Sequence, residues 1–183
     1  MFMLRMTRRP AALLFLLAAF TVAACSPAYD WRTITDDTNG YTIDLPAKPL
    51  IDERPIDIAG TSMRMHVRAA RAQNAMFSVG TVAMPSDDPK LQRAVLDSMR
   101  DALARNVGAK PDARPIDVPV ADGGHVPALE LEVNGPVGAT GRHKTIHAWL
   151  VARGTHVYQA AVIADDAPPE EQTDQFFQSF KVF

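Results

Sequence analysis

Cys25 is the only cysteine in this 183-residue chain, so whatever folds after it must do so without an internal disulfide. It closes a segment with the grammar of an export signal. Arg5, Arg8 and Arg9 make a basic start, Pro10 introduces an apolar run from Ala11 to Phe20, and small residues lead to the cysteine. The run is shorter than the roughly 20 apolar residues a membrane span needs, and fits a secretory signal instead. The chain leaves 158 residues after Cys25, ample for one hydrophobic core and short for two. In an oxidising compartment such a domain is held by packing alone.

Val22-Ala23-Ala24-Cys25 resembles the lipobox of bacterial lipoproteins. The resemblance implies that the Cys25 thiol receives a diacylglyceryl group and that cleavage makes Cys25 the first mature residue. The expected organisation is a lipoprotein signal peptide at 1–24, a lipidated tether at 25–30 and one globular domain at 31–183. Each buried methylene contributes about 0.8 kcal/mol, so two or three acyl chains anchor stably where one does not. Ser26, where an Asp would retain many lipoproteins in the inner membrane, implies an outer-membrane address facing the periplasm. The chain has 19 Lys and Arg against 21 Asp and Glu, and losing the three signal arginines leaves 16 against 21. An acidic mature domain argues against a nucleic-acid partner and against a strongly basic lipid-binding surface.

Beyond the tether, alternation marks strands. Trp31 to Ile34 precedes the polar turn Asp36-Asp37-Thr38-Asn39-Gly40, and Tyr41, Ile43 and Leu45 then alternate with Thr42 and Asp44 up to Pro46. Ile56 to Ala59 is a weak strand before Gly60. Met63, Met65, Val67 and Ala69 alternate with basic residues, and Met76 to Met84 is apolar throughout. Asp88 and Pro89 open the clearest helix, which carries Leu91, Val95, Met99 and Leu103 on one face and ends at Gly108. Strands are then expected at Ile116–Val120, Leu129–Val133, Thr145–Val151 and His156–Ile163, with Arg153-Gly154 turning a hairpin. Pro168 and Pro169 introduce a short helix with acids in its first turn and Phe176, Phe177 and Phe180 beneath it. Lys181 to Phe183 is expected to close the sheet. The order gives α+β: an αβα sandwich with a largely antiparallel β-sheet, one long helix and one short one.

Local sequences within this layout resemble the PsbP-like superfamily, including its DcrB-like lipoproteins. The carrying segments are Gly40-Tyr41-Thr42-Ile43-Asp44-Leu45-Pro46, the helix from Pro89 to Val107, Val157 to Val162, and Phe176-Phe177-Gln178-Ser179-Phe180. The resemblance covers about residues 31 to 183 and implies the sandwich fold. It implies no catalytic residues, because the motifs are packing patterns and the family's members bind different partners.

Candidate chemistry is sparse. His143 and His147 share a strand face, and a two-residue turn at Arg153-Gly154 puts His156 on that face near its other end. Three imidazoles could hold zinc or copper if they converged within about 2.0–2.1 Å of one ion, yet His143 and His156 should lie too far apart. No nucleophile elbow is present. Asp165-Asp166 and Glu170-Glu171 read as solvated charge. Gly135 to Gly141 lacks the phosphate-loop ending and reads as a flexible hairpin loop suited to contacting a partner. Met63, Met65, Met76, Met84 and Met99 read as core filler in preference to copper ligands. The expected function is a non-enzymatic envelope lipoprotein that supports or binds an envelope component, with no cofactor and an envelope protein as partner. The alternative is a periplasm-facing small-ligand or metal carrier. A flat apolar patch would favour the first, and a pocket of convergent polar groups the second. A buried carboxylate–histidine pair in such a pocket would favour an enzyme.

Overall fold

The computed structural model describes residues 28–58, 60–137, 142–165 and 168–183, so Cys25 lies outside the described residues. Among the described residues packing starts at Tyr29, two residues before the expected domain start. Its ring stacks on Trp31 with centroids 5.9 Å apart, and both rings meet Phe77 edge-on. The chain runs into β1 (Arg32–Asp36), turns, and returns as β2 (Tyr41–Leu45), with Arg32 opposite Leu45. A long meander follows: β3 (Leu50–Ile58), β4 (Thr61–Ala72) and β5 (Ala75–Ala83). Then come α1 (Pro89–Val107) and a second meander of β6 (Asp112–Pro119), β7 (His125–Val137), β8 (Arg142–Arg153) and β9 (His156–Ala164). The chain ends in α2 (Glu170–Ser179) and β10 (Lys181–Val182).

The protein is α+β, as the sequence pattern predicts. The two meanders join at β5 and β9 into a seven-stranded antiparallel sheet ordered β3-β4-β5-β9-β8-β7-β6. A separate three-stranded sheet is ordered β1-β2-β10. Lys181 to Val182 thus closes this small sheet and not the main one. β5 and β9 hold small or apolar side chains at successive positions and bury both faces. One face packs Leu131, Val133, Ile146, Leu150 and Val157 against Val95, Met99 and Leu103 of α1. The other packs Phe77, Val79, Tyr158 and Val162 against Tyr41, Ile43 and Leu45 of β2 and Phe176, Phe177 and Phe180 at the end of the chain. Met63, Met65, Met84 and Met99 are buried in the α1-side core, as the filler reading expects, whereas Met76 of β5 is half-buried and belongs to neither core.

Local signals set the helix. Asp88 accepts a bond from Lys90 N at 3.0 Å, and Gly108 ends α1 with φ 64°. Two edge strands are longer than expected. β3 starts at Leu50 and not Ile56, and β6 starts at Asp112 and not Ile116. Both carry prolines and charges that blur alternation, and an edge strand tolerates them because one of its sides makes no ladder. The expected loop from Gly135 is also shorter, since β7 runs to Val137. Gly135 stays in the strand because the end of α1 lies on it: an added Cβ would stand 2.7 Å from the Val107 carbonyl oxygen.

Two contacts fix the small sheet on the large one. Arg68 Nε and Nη2 both donate to buried Asp36 Oδ2, at 3.0 and 2.8 Å. The Tyr158 hydroxyl, whose pKa burial pushes up to about 12, donates to the Gly40 carbonyl at 3.1 Å. Gly40 sits at φ 68°, and a Cβ there would lie 2.9 Å from both the Phe183 oxygen and that hydroxyl. Gly40→Ala is therefore expected to cost about 2–3 kcal/mol, from the left-handed backbone and from lifting the small sheet off Tyr158. Chemical denaturation measures this, and a loss below about 0.5 kcal/mol, the usual range for an inconsequential surface change, would refute the contact.

Candidate functional site

The second face of β7 carries Glu130 and Glu132, which alternation alone assigns to solvent. Glu132 is exposed, but Glu130 is only 7% exposed. The register explains what surrounds it. Arg114 of β6 and Trp149 of β8 stand directly opposite Glu130 on its two sides, and His147 lies two residues along β8, opposite Glu132. From α2, Phe177 covers this row, its ring centroid 4.4 Å from that of His147 and 4.7 Å from that of Trp149.

A carboxylate taken from water needs compensation, and Glu130 receives three donors. Arg114 Nε donates to Oε2. Trp149 Nε1 donates to Oε1 at 3.3 Å, and His147 Nε2 stands 2.5 Å from the same oxygen. An ionised carboxylate only accepts, so the His147 proton on this bond sits on Nε2. Burial alone would raise the Glu130 pKa, but the bonds from Arg114, His147 and Trp149, with the nearby His147, outweigh it and hold the group down to about 2.

Two open clefts flank this cluster. One of about 300 Å³ lies over β6 and β7 between Asp112, Arg114, Glu132 and His147. The other, about 360 Å³, runs beneath α2 and is lined by Arg114, Glu132 and His147 again, with Thr145, Glu170 and Asp174. The rim is mainly acidic and suits a small cationic ligand. On the opposite face a groove of about 350 Å³ runs between α1 and the β3–β4 hairpin, with Ile56, Met65, Met99 and Leu103 along it.

The carboxylate–histidine pair is the feature that would point to an enzyme, but its chemistry is poor for catalysis. A carboxyl near 2 is a weak base, and both its oxygens are occupied. No hydroxyl bonds to His147 among the described residues. The histidine that does approach a hydroxyl is His156, whose Nδ1 is 3.5 Å from Oγ1 of its neighbour Thr155. Burial lowers the His156 pKa, and no carboxylate orients it among the described residues.

The expected histidine trio is spread out. His143 is exposed opposite Pro136, His147 is half-buried at Glu130, and His156 stands opposite Arg153 at the other end of β8. They share a face, but His143 and His147 are about 13 Å apart along the strand, and His156 is farther still. No group of three or more His, Cys, Asp or Glu could hold a metal ion among the described residues. Of the acidic pairs, Asp165 bonds Lys144 at 2.7 Å, and Glu170 and Glu171 occupy the first turn of α2. Residues 138–141 of the expected contact loop, and Asp166, lie outside the described residues. No protein-family model matches the chain, and no curated protein matches it either.

The Glu130 cluster has a defined pH signature. A carboxyl with an ordinary value of 4.5 and a folded value of about 2 adds stability that is complete above 4.5 and disappears as pH falls through about 2. Glu130→Gln is expected to lose on the order of 2–3 kcal/mol at neutral pH, with the gap to the parent protein closing as pH drops through that window. Urea unfolding along a pH series measures it. A gap independent of pH would mean that the charge on Glu130 is not what stabilises the cluster.

Proposed function

We propose that the protein is a lipid-anchored envelope protein, held through Cys25 at the outer membrane and presenting a non-catalytic binding domain to the periplasm. The observation that carries this reading is the spacing between the lipobox and the fold. Tyr29 already packs on the fold, and at most Ser26, Pro27 and Ala28 lie between it and Cys25. A tether of four peptide steps spans at most about 14 Å, which keeps the domain against the surface its acyl chains enter. Confinement of this kind raises the effective concentration of membrane-bound partners, and weak contacts then suffice. No helix among the described residues is long and apolar enough to cross a membrane.

The non-catalytic part of the proposal rests on the Glu130 cluster, whose hydrogen-bonding capacity is spent on holding strands together. A second reading, a small-ligand or metal carrier, is favoured by the acid-rimmed cleft beneath α2. Its ligand would be small and cationic.

Cys25→Ala tests the anchor. The parent protein is expected in the membrane fraction, with a diacylglyceryl modification on the peptide that begins at residue 25. The variant is expected to lack the modification and to move to the soluble fraction. Full membrane retention of the unmodified variant would overturn the assignment.

A further inference from the structure

Leu50 and Ile51 are the exposed large hydrophobic residues among the described residues, at 80% and 66% exposure. They begin β3, an edge strand of the main sheet. Alternation sends the two side chains to opposite faces, so together they wrap the sheet edge as a wedge. Their place relative to the N-terminus is fixed by register. The Asp30 amide donates to the Pro46 carbonyl at 2.8 Å, which sets the entering chain beside Pro46 and Ala47. Leu50 follows Ala47 by three residues, about 10 Å at most. The wedge and the point where the tether joins the fold therefore occupy one corner of the molecule.

We propose that Leu50 and Ile51 insert into the membrane interface and fix the orientation of the domain on the bilayer. This rests on the Cys25 anchor proposed above. With acyl chains held within about 14 Å of Tyr29, the corner that carries the wedge is the part of the domain brought to the lipid. Exposed Lys48 and Arg71 flank the wedge, and neither has a carboxylate partner among the described residues. Long cationic side chains beside an apolar pair suit an interface in which they reach anionic headgroups. The rest of β3 argues against a second polypeptide strand as the occupant. Asp52, Glu53, Arg54 and Pro55 follow at once, and charges with a proline are what protect an edge from strand addition.

The test uses the full-length lipidated protein in vesicles of phosphatidylethanolamine and phosphatidylglycerol carrying nitroxide-labelled lipid. An environment-sensitive thiol probe is placed at Ile51→Cys and, in a separate sample, at Asp122→Cys. Asp122 is exposed on the turn between β6 and β7, at the far end of the sheet. Mass spectrometry of the residue-25 peptide establishes lipidation in each sample. Quenching at position 51 is expected to exceed that at 122 by about threefold or more, since interfacial apolar side chains sit below the headgroups. Equal quenching in lipidated protein would overturn the wedge and leave the anchor standing. Crosslinks between position 51 of separate molecules, without lipid quenching, would overturn it in favour of a second copy. An unmodified Cys25 would overturn the anchor and the wedge with it.

Discussion

A sheet strand buried on both faces cannot exist until two separate layers cover it, and β9 imposes that condition here. Val157 and Ala161 point to one side and Tyr158, Ala160 and Val162 to the other, all of them buried. The connection between the two meanders supplies the first cover as α1. The second comes from β2 on one side and from α2 and β10 on the other. Within it β10 pairs with β2, and Val182 N-terminal to the last residue meets Tyr41 in the register. The N-terminal segment, α2 and the C-terminus consequently share one layer. The burial of Glu130, the confinement of Gly40 and the position of Tyr29 all follow from the assembly of that layer.

The two buried carboxylates show how this layer is placed. Asp36 in β1 is held by Arg68 in β4, and burial, which opposes its ionisation, is outweighed by bonds from Asn39 and Arg68 that lower its pKa. Glu130 joins β6, β7 and β8 through Arg114, Trp149 and His147, under Phe177 of α2. In both, desolvation offsets part of the attraction and the bonds outweigh it. Misplacement is what costs. A shift of the small sheet strands Asp36 without Arg68, and a slip of β8 strands Glu130 without its two ring donors. Apolar packing alone would tolerate such a slide far better, so the pairs select one docking position among many greasy ones.

Periodicity made the α1 face of the sheet legible, because Met63, Met65, Leu131 and Val133 alternate with polar neighbours and do pack beneath the helix. The caps of α1 were equally readable, since Asp88 and Gly108 act through local backbone geometry. The edges were not. Pro55 and the charges before it in β3, and Pro115 in β6, break alternation without breaking the strand, because the outer side of an edge makes no ladder. The candidate site was hidden for a different reason. Glu130 and Glu132 have the same parity, the same chemistry and nearly the same neighbours in sequence. What separates them is that Arg114, His147 and Trp149 all turn to Glu130, with Phe177, some fifty residues away, packed on the two rings, while Glu132 stays at the cleft rim. No local pattern carries that information, and the partners Arg114 and Trp149 depend on register across two further hairpins.

The same register separates the cleft from the proposed membrane contact. Glu130 lies on β7 and the Leu50–Ile51 wedge on β3, five strand spacings away, or about 24 Å across the sheet. Lys48 and Arg71 accompany the wedge, while Asp112, Glu132, Glu170 and Asp174 rim the clefts on the far side. An anionic bilayer attracts Lys48 and Arg71 and repels the acidic rims, a bias that Asp52 and Glu53 beside the wedge oppose, so the apolar pair decides the tilt. A domain so oriented turns its acidic clefts towards the aqueous side, where a cationic ligand or a basic segment of a partner could reach them without crossing the headgroups. Anchoring and binding would then occupy opposite margins of one rigid sheet, and occupation of one would leave the other free.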